Sequence, residues 1–246
     1  MRNIKLLLCY DGSRYRGWQR LGDHDNTIQG KLEAVISRMV NAPVEVIGSG
    51  RTDAGAHARG QVANFHCDTS LSCDEMKAYI RRYLPEDIGV VSVEEVDSRF
   101  HSRFHAEEKA YCYRIWNSDL PCVFERRYVW ELNEKLDVDA MHRAAQLFLG
   151  SHDFLAFCSN KHFKKSSIRT INRFSVERIG PEIRFQVTGD GFLYNMVRIM
   201  VGTLVSIGRG ERDESDIPAI FESRVRENAG ETAPAKGLCL VEVKYH

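Results

Sequence analysis

Four things are missing from this 246-residue chain, and each narrows what it can be. There is no C-x-x-C pair: the seven cysteines (Cys9, Cys67, Cys73, Cys112, Cys122, Cys158 and Cys239) are odd in number and scattered. That pattern argues against a disulfide framework and against a zinc site, and leaves most of them as small buried hydrophobes. There is no charged-then-apolar leader, because Met1-Arg2-Asn3 runs straight into the alternation of residues 4–9, so the protein is expected to be cytoplasmic. There is no net charge, with 34 basic against 34 acidic side chains, which disfavours non-specific coating of nucleic acid but permits segregated patches. No low-complexity tract or long heptad array occurs.

What is present is the composition of an ordinary soluble protein, 43% hydrophobic and 28% charged, enough for one large domain or two small ones. Residues 4–10 read as a buried strand ending at the turn Asp11-Gly12-Ser13, and Asn26 or Thr27 caps a helix with Ile28, Leu32, Val35, Ile36 and Met39 on one face, ended by Pro43. Strands are expected at 44–47, 61–66 and 90–96, with a helix at 74–84 closed by Pro85. The first half is therefore β-α-β-β-α-β. In the second half, a strand at 111–116 is followed by a helix at 138–149 with Gly150 as its cap. Strands at 168–179 and 182–188 then meet at Gly180-Pro181, before helices at 192–207 and 216–223 and a closing strand at 238–245. With one extra helix, that order repeats the first. The expectation is an α+β protein of two β-α-β-β-α-β (RRM/ferredoxin-like) halves, 1–105 and 106–246. They would form one mostly antiparallel sheet with helices on one face and a central active-site cleft.

The stretch with most chemical content is Gly48-Ser49-Gly50-Arg51-Thr52-Asp53-Ala54-Gly55-Ala56-His57. Three glycines in eight residues describe a shaped loop that lets a ligand approach the backbone, although tight surface turns share that composition. The apolar helix at 192–207 carries Arg198, is too short for a comfortable membrane span, and so is expected to be buried in protein. A guanidinium there calls for a carboxylate, with Asp11, Asp53 and Asp190 as candidates and a structural ion pair or a reach to the surface as the alternatives. Paired with an arginine, Asp53 would stay ionised, and a lone carboxylate of that kind suits attack on, or charge stabilisation at, a sugar carbon. Asp53-x-x-x-His57 is weak evidence for a metal, and His57 reads rather as a loop or RNA contact.

Four clusters combine arginine or lysine with aromatic rings: Arg14, Arg16 and Arg20 around Tyr15 and Trp18; Arg99 and Arg103 in the connector at 99–105; Arg126 and Arg127; and the segment 160–169 with Lys164 and Lys165. Charge runs are usually solvated faces, but four of them with aromatic neighbours form the footprint of an RNA binder.

Together these stretches resemble the TruA family of tRNA pseudouridine synthases. The matching motifs are Tyr10-Asp11-Gly12 with Gly17-Trp18-Gln19, Gly50 to His57, Lys109-Ala-Tyr111-Cys-Tyr113-Arg-Ile115, and Ser151-His152-Asp153-Phe154. They continue with Gly191-Phe-Leu-Tyr-Asn-Met-Val-Arg198-Ile-Met-Val-Gly202 and with Ala233-Pro234 before Gly237-Leu238-Cys-Leu240, in the family's order and over nearly the whole chain. The resemblance implies that Asp53 is the catalytic aspartate that attacks, or otherwise breaks, the uridine glycosidic bond so that uracil can turn and rejoin the ribose through carbon. It implies that Tyr111 packs on the target base and is implicated in removing the C5 proton, that Arg198 pairs with the aspartate, that Arg51 handles the flipped nucleotide, and that Leu238 lines the pocket. Arg14, Arg16, Lys164 and Lys165 would contact RNA. It further implies a homodimer with no cofactor and no metal, acting on uridines 38 to 40 of the tRNA anticodon stem-loop. The competing expectations are a paralogue acting on another RNA, a silent RNA-binding module with Tyr111 and Tyr113 as stacking rings on a sheet, and, more distantly, a metal-dependent nuclease.

Overall fold

The computed structural model describes residues 1–20, 22, 26–160 and 166–246. Along them run β1 (Arg2–Tyr10), α1 (Ile28–Val40), β2 (Ile47–Gly48), β3 (His57–Cys67), α2 (Cys73–Tyr83), β4 (Ile88–Val96), β5 (Glu108–Asn117), β6 (Trp130–Leu132), α3 (Val138–Gln146), β7 (Gly150–Asp153), β8 (Ile168–Ile179), β9 (Glu182–Gly189), α4 (Met196–Gly208), α5 (Asp216–Ser223) and β10 (Leu238–Lys244). They divide into two compact units, the first made of Met1–Glu107 with Cys239–His246 and the second of Glu108–Leu238. The architecture is mixed α and β with mostly antiparallel strands. Among the described residues no helix is long and apolar enough to cross a membrane.

In the first unit the strand order is β4-β1-β3-β10, with β2 also on β3. All pairs are antiparallel except β3 with β10, where Cys239 and Leu240 lie beside His57 and Ala58 in parallel. Alternation on β1 sends Ile4, Leu6 and Leu8 inward, against Leu32 and Ile36 of α1 and Met76 and Ile80 of α2, all of them fully buried. Thr27 caps α1 by accepting from the Gly30 N–H at 3.1 Å, and Ser72 and Glu75 form a reciprocal cap on α2. Helix α1 stops at Asn41 in the left-handed region (φ 53), two residues before the proline expected to end it. The strand expected at 44–47 shrinks to Ile47–Gly48.

The second unit orders its strands β5-β9-β8-β7, all antiparallel, with short β6 parallel to β5. Its core gathers Phe148, Phe154, Phe157 and Phe174 against Phe221 of α5, with ring centroids 5.1 to 5.7 Å apart for Phe148 with Phe157, Phe221 and Phe174. Three sequence expectations change here. Helix α3 closes at Leu147, and Gly150 (φ 91) opens β7 instead of capping the helix. Helix α4 begins at Met196 and not at 192, because Asn195 takes the left-handed conformation (φ 62). The closing strand, expected in the second half, joins the first unit through its parallel ladder with β3. Parallel pairing between segments about 180 residues apart leaves no local signature in a sequence.

Candidate active site

The loop between β2 and β3 is shaped by what packs against it. Gly48 has no room for a side chain, since a Cβ would lie 2.5 Å from the Trp18 ring. Trp18 is buried, and its backbone N–H donates to the Thr52 carbonyl at 3.0 Å. Gly17, at φ 90, comes so close that a Cβ would sit 2.7 Å from the same carbonyl, and at Gly12 a Cβ would meet the Ala56 carbonyl oxygen at 1.9 Å. These are backbone-on-backbone approaches that only glycine allows. The segment 12–18 is thus the bed of the loop.

Hydrogen bonds complete the fixation. The Tyr10 hydroxyl and the Thr52 Oγ1 are 2.8 Å apart, Gln61 Nε2 donates to the Gly50 carbonyl at 3.1 Å, and the Ser49 hydroxyl donates to Gln61 Oε1 at 2.6 Å. Burial raises the Tyr10 phenol well above its ordinary pKa, so it remains a neutral hydroxyl. The Ala56 N–H donates to the Asp53 carbonyl at 3.1 Å and the Gly55 N–H to the Tyr15 carbonyl at 3.3 Å, with Gly55 at φ 81. Thr52, Ala56 and His57 are buried; Asp53 between them is half-buried and Arg51 exposed. A carboxylate held on a fixed backbone at a partly open position is suited to attack on, or electrostatic stabilisation of, a reacting carbon.

Several sequence expectations are relocated by this geometry. His57 is 6% exposed, and its Nδ1 accepts from the Gly12 N–H at 3.1 Å with Asp11 Oδ1 at 3.2 Å, so the ring braces the loop and is not an RNA contact. Tyr15 and Trp18 are buried as well, anchoring the loop's bed where the sequence offered base stacking. Tyr15 donates to Asp87 Oδ1 at 2.5 Å, and Arg14 is paired with the other oxygen of the same carboxylate at 2.6 Å. Asp87, which sequence reasoning passed over, therefore supports both residues; the acidic pair Glu86-Asp87 after Pro85 gives no local signal of that. Arg14 and Arg16 remain exposed. Lys164 and Lys165 lie outside the described residues.

The second unit organises Tyr111, Arg198 and Leu238. Tyr111 and Tyr113 point to the same face of β5 and are 9% and 0% exposed, so they do not form an open stacking platform. Tyr111 meets Phe192 edge to face at 5.0 Å. Tyr113 donates to the Pro234 carbonyl at 2.8 Å, and burial drives its phenol's pKa far upward, the charge of Arg198 opposing it in part. Arg198 is in the first turn of α4 and not at its middle; every other residue of that helix is buried, and Arg198 alone is half-exposed. Its Nε donates to the Ala233 carbonyl at 2.7 Å and its Nη1 to Asn195 Oδ1 at 2.8 Å, while the Ala233 N–H returns a bond to the Arg198 carbonyl at 3.1 Å. Asn195 was not singled out by sequence; a residue that tolerates the left-handed region just before a helix is the signal that could have found it. The irregular segment that carries Ala233 comes close because Gly202 and Gly230 leave no side chain in the way. Leu238 is buried at the start of β10.

Among the described residues no group of three histidine, cysteine, aspartate or glutamate side chains could hold a metal.

Comparison with known proteins adds to this geometry. A family model described as tRNA pseudouridine synthase matches residues 8–105 and 144–246. A protein of Bacillus sp. (strain KSM-64) named tRNA pseudouridine synthase A is 50% identical over 245 residues, covering 100% of both chains. A Bacillus cereus protein named tRNA pseudouridine synthase A 2 and an Acetivibrio thermocellus tRNA pseudouridine synthase A are each 46% identical, again over 100% of both chains.

Proposed function

The chain belongs to the tRNA pseudouridine synthase family, and from that premise we propose that it isomerises uridines 38 to 40 of the tRNA anticodon stem-loop to pseudouridine with Asp53 as its catalytic carboxylate. In this isomerisation the bond from uracil N1 to ribose C1′ breaks, the base turns, and a bond from C5 to C1′ forms. C5 loses a proton and N1 gains one. Atoms and electrons balance within the nucleotide, so neither oxidant nor reductant is consumed.

The observation that carries the reading is the loop itself. Asp53 is half-open while Thr52 and Ala56 beside it are locked down, so the carboxylate is oriented before substrate arrives. Tyr111 packs on the extruded uracil and serves C5 deprotonation, Arg198 supports the ionised aspartate, Arg51 handles the flipped nucleotide, and Leu238 lines the base pocket. Arg14, Arg16, Lys164 and Lys165 meet RNA phosphates. Extrusion costs a few kcal/mol of unstacking, which stacking and phosphate contacts must offset. The same reading makes the two units ferredoxin-like halves of a cytoplasmic homodimer.

Tritium release from C5-labelled anticodon-arm RNA tests the assignment. Asp53→Asn is expected to abolish release while RNA still binds; release at the wild-type rate would sink it.

A further inference from the structure

In the first unit, away from the catalytic loop, Phe104 is 76% exposed, yet the segment that carries it is anchored by a buried polar network. The Ser102 N–H and hydroxyl donate to Asn64 Oδ1 at 2.9 and 2.6 Å, Asn64 Nδ2 donates to Asn3 Oδ1 at 3.0 Å, and Asn3 Nδ2 donates to the carbonyls of Asp97 and Phe100 at 2.9 Å each. Asn3, Asn64 and Ser102 are 1%, 0% and 0% exposed. The Tyr245 hydroxyl closes the assembly on the Ser102 carbonyl at 2.6 Å. Buried amides are tolerated only when their bonds are made, and here those bonds serve to fix residues 97–105.

At the tip of that segment His101 Nδ1 accepts from the N–H groups of Arg103 at 3.1 Å and Phe104 at 3.3 Å, which fixes the ring's orientation, and partial burial lowers its pKa. Its ring lies 4.2 Å from that of Phe104 at 31°. A groove of about 330 Å³ opens beside them, lined by Phe100, Phe104, His105, Glu107 and Tyr245. Arg99 and Arg103 are exposed on the same segment. The structure therefore presents an exposed phenyl ring on an anchored segment that also carries the exposed Arg103 and Arg99, the latter paired with Asp97.

We propose that Phe104, backed by His101, is a stacking platform for an RNA base other than the reacting uridine, with Arg99 and Arg103 on the adjoining phosphates. The inference rests on the RNA-modifying reading above and extends it to a second contact region. Aromatic faces accept any base, and arginines beside them hold the backbone. The groove's Glu107 carboxylate is paired with His246 through Oε1, and its Oε2 can accept from a base amino group. The platform hangs from Asn64, which pairs with Ile47 at the start of the catalytic loop. Thr52, beside Asp53, is instead bonded to Tyr10, whose strand partner Ala58 lies six residues along β3 from Asn64, about 20 Å at a strand's rise. The contact therefore falls elsewhere on the substrate than the base at Asp53. A second copy of the chain is the poorer occupant: a stable interface needs roughly 800 Å² from each partner, and Phe104 is the one large hydrophobic side chain exposed between residues 97 and 107.

The test is fluorescence anisotropy of labelled tRNA with the full chain, run alongside sedimentation velocity. Phe104→Ala is expected to weaken binding about tenfold, the worth of one stacked base. Phe104→Leu should lose as much, because it keeps apolar bulk without a π face, and Phe104→Trp should restore affinity. Arg103→Ala should lower the slope of log K against log salt by about one phosphate contact. Wild-type affinity in Phe104→Ala, full affinity in Phe104→Leu, or dissociation of the protein into smaller species would each overturn the platform. If the wild type releases no tritium while Phe104→Ala still loses affinity, the isomerase assignment fails and the platform is supported. Normal release with unaltered affinity overturns the platform alone.

Discussion

Gly12→Ala isolates the mechanical role of the loop's bed. The position has no unusual backbone requirement, so alanine brings no conformational penalty of its own; its effect is the methyl group. That Cβ would lie 1.9 Å from the Ala56 carbonyl oxygen and 2.8 Å from its carbonyl carbon. These are backbone atoms and cannot rotate aside. Moving from 1.9 Å to ordinary contact at 3.4 Å requires about 1.5 Å of displacement in the loop that carries Asp53, or in the turn that carries Gly12. Overpacking of this kind costs about 1–3 kcal/mol, or roughly 3–10 °C in Tm for a chain of this size. A 1 Å misplacement at a reacting centre costs about 100-fold in rate, so single-turnover tritium release at 20 °C should fall by roughly that factor or more. Gly210→Ala is the matched control: it has nothing within 4 Å but sits at φ +75, so it should lose about 1 kcal/mol of stability and no activity. A Gly12→Ala protein with wild-type Tm and rate, or a Gly210→Ala protein that loses as much rate, would refute the mechanical reading.

Two further outcomes follow from the second unit. Arg198→Met is expected to lower kcat more than RNA affinity, because the guanidinium is oriented by Ala233 and Asn195; the reverse pattern in single-turnover kinetics and anisotropy would make it an RNA contact only. Glu182 is buried between Arg114 and Arg184, and the hydrogen bond from Arg114 first of all holds its pKa below the usual carboxylate range. Its contribution is therefore complete above about pH 4.5 and lost as pH falls through the lowered value. Glu182→Gln should cost about 1–2 kcal/mol at pH 7, since Arg114 keeps Glu125 as a partner, and flatten the acid limb of urea-denaturation midpoints measured against pH, an unchanged limb being the contrary result.

Secondary structure is legible in the sequence wherever local periodicity decides it. Residues 168–179 form the strand their alternation predicts, and α1 starts at the cap that Thr27 signals. Elsewhere a single residue or a distant strand partner overrides the local pattern. The apolar run at 192–207 reads as a single helix, but Asn195 breaks it, and that moves Arg198 from a helix middle to a helix start. The closing strand forms as expected, but nothing local in it marks its partner as β3. At the site, the sequence marks Asp53 through the company it keeps in Gly50 to His57, whereas the neighbours that position it do not show themselves. Tyr15 and Trp18 have the same composition whether they stack on bases or anchor a loop, and only burial separates the two.

The position of Arg198 carries a physical implication that the pattern alone could not. A cation in the first turn of a helix opposes the helix dipole, at a cost of about 0.3–1 kcal/mol, and α4 would be more stable with an apolar residue there, since its other twelve positions are all buried. The surrounding chain is nevertheless built to keep the guanidinium in one orientation. Gly202 and Gly230 admit the close approach of the segment that supplies the Ala233 carbonyl, Asn195 accepts the strain of φ 62 while offering its side-chain oxygen, and Tyr113 fixes the neighbouring Pro234 carbonyl. Three separate elements are thus spent on the direction of one charge. Helix stability gains nothing from that arrangement, whereas the function proposed above gains a cation whose direction is set before substrate arrives.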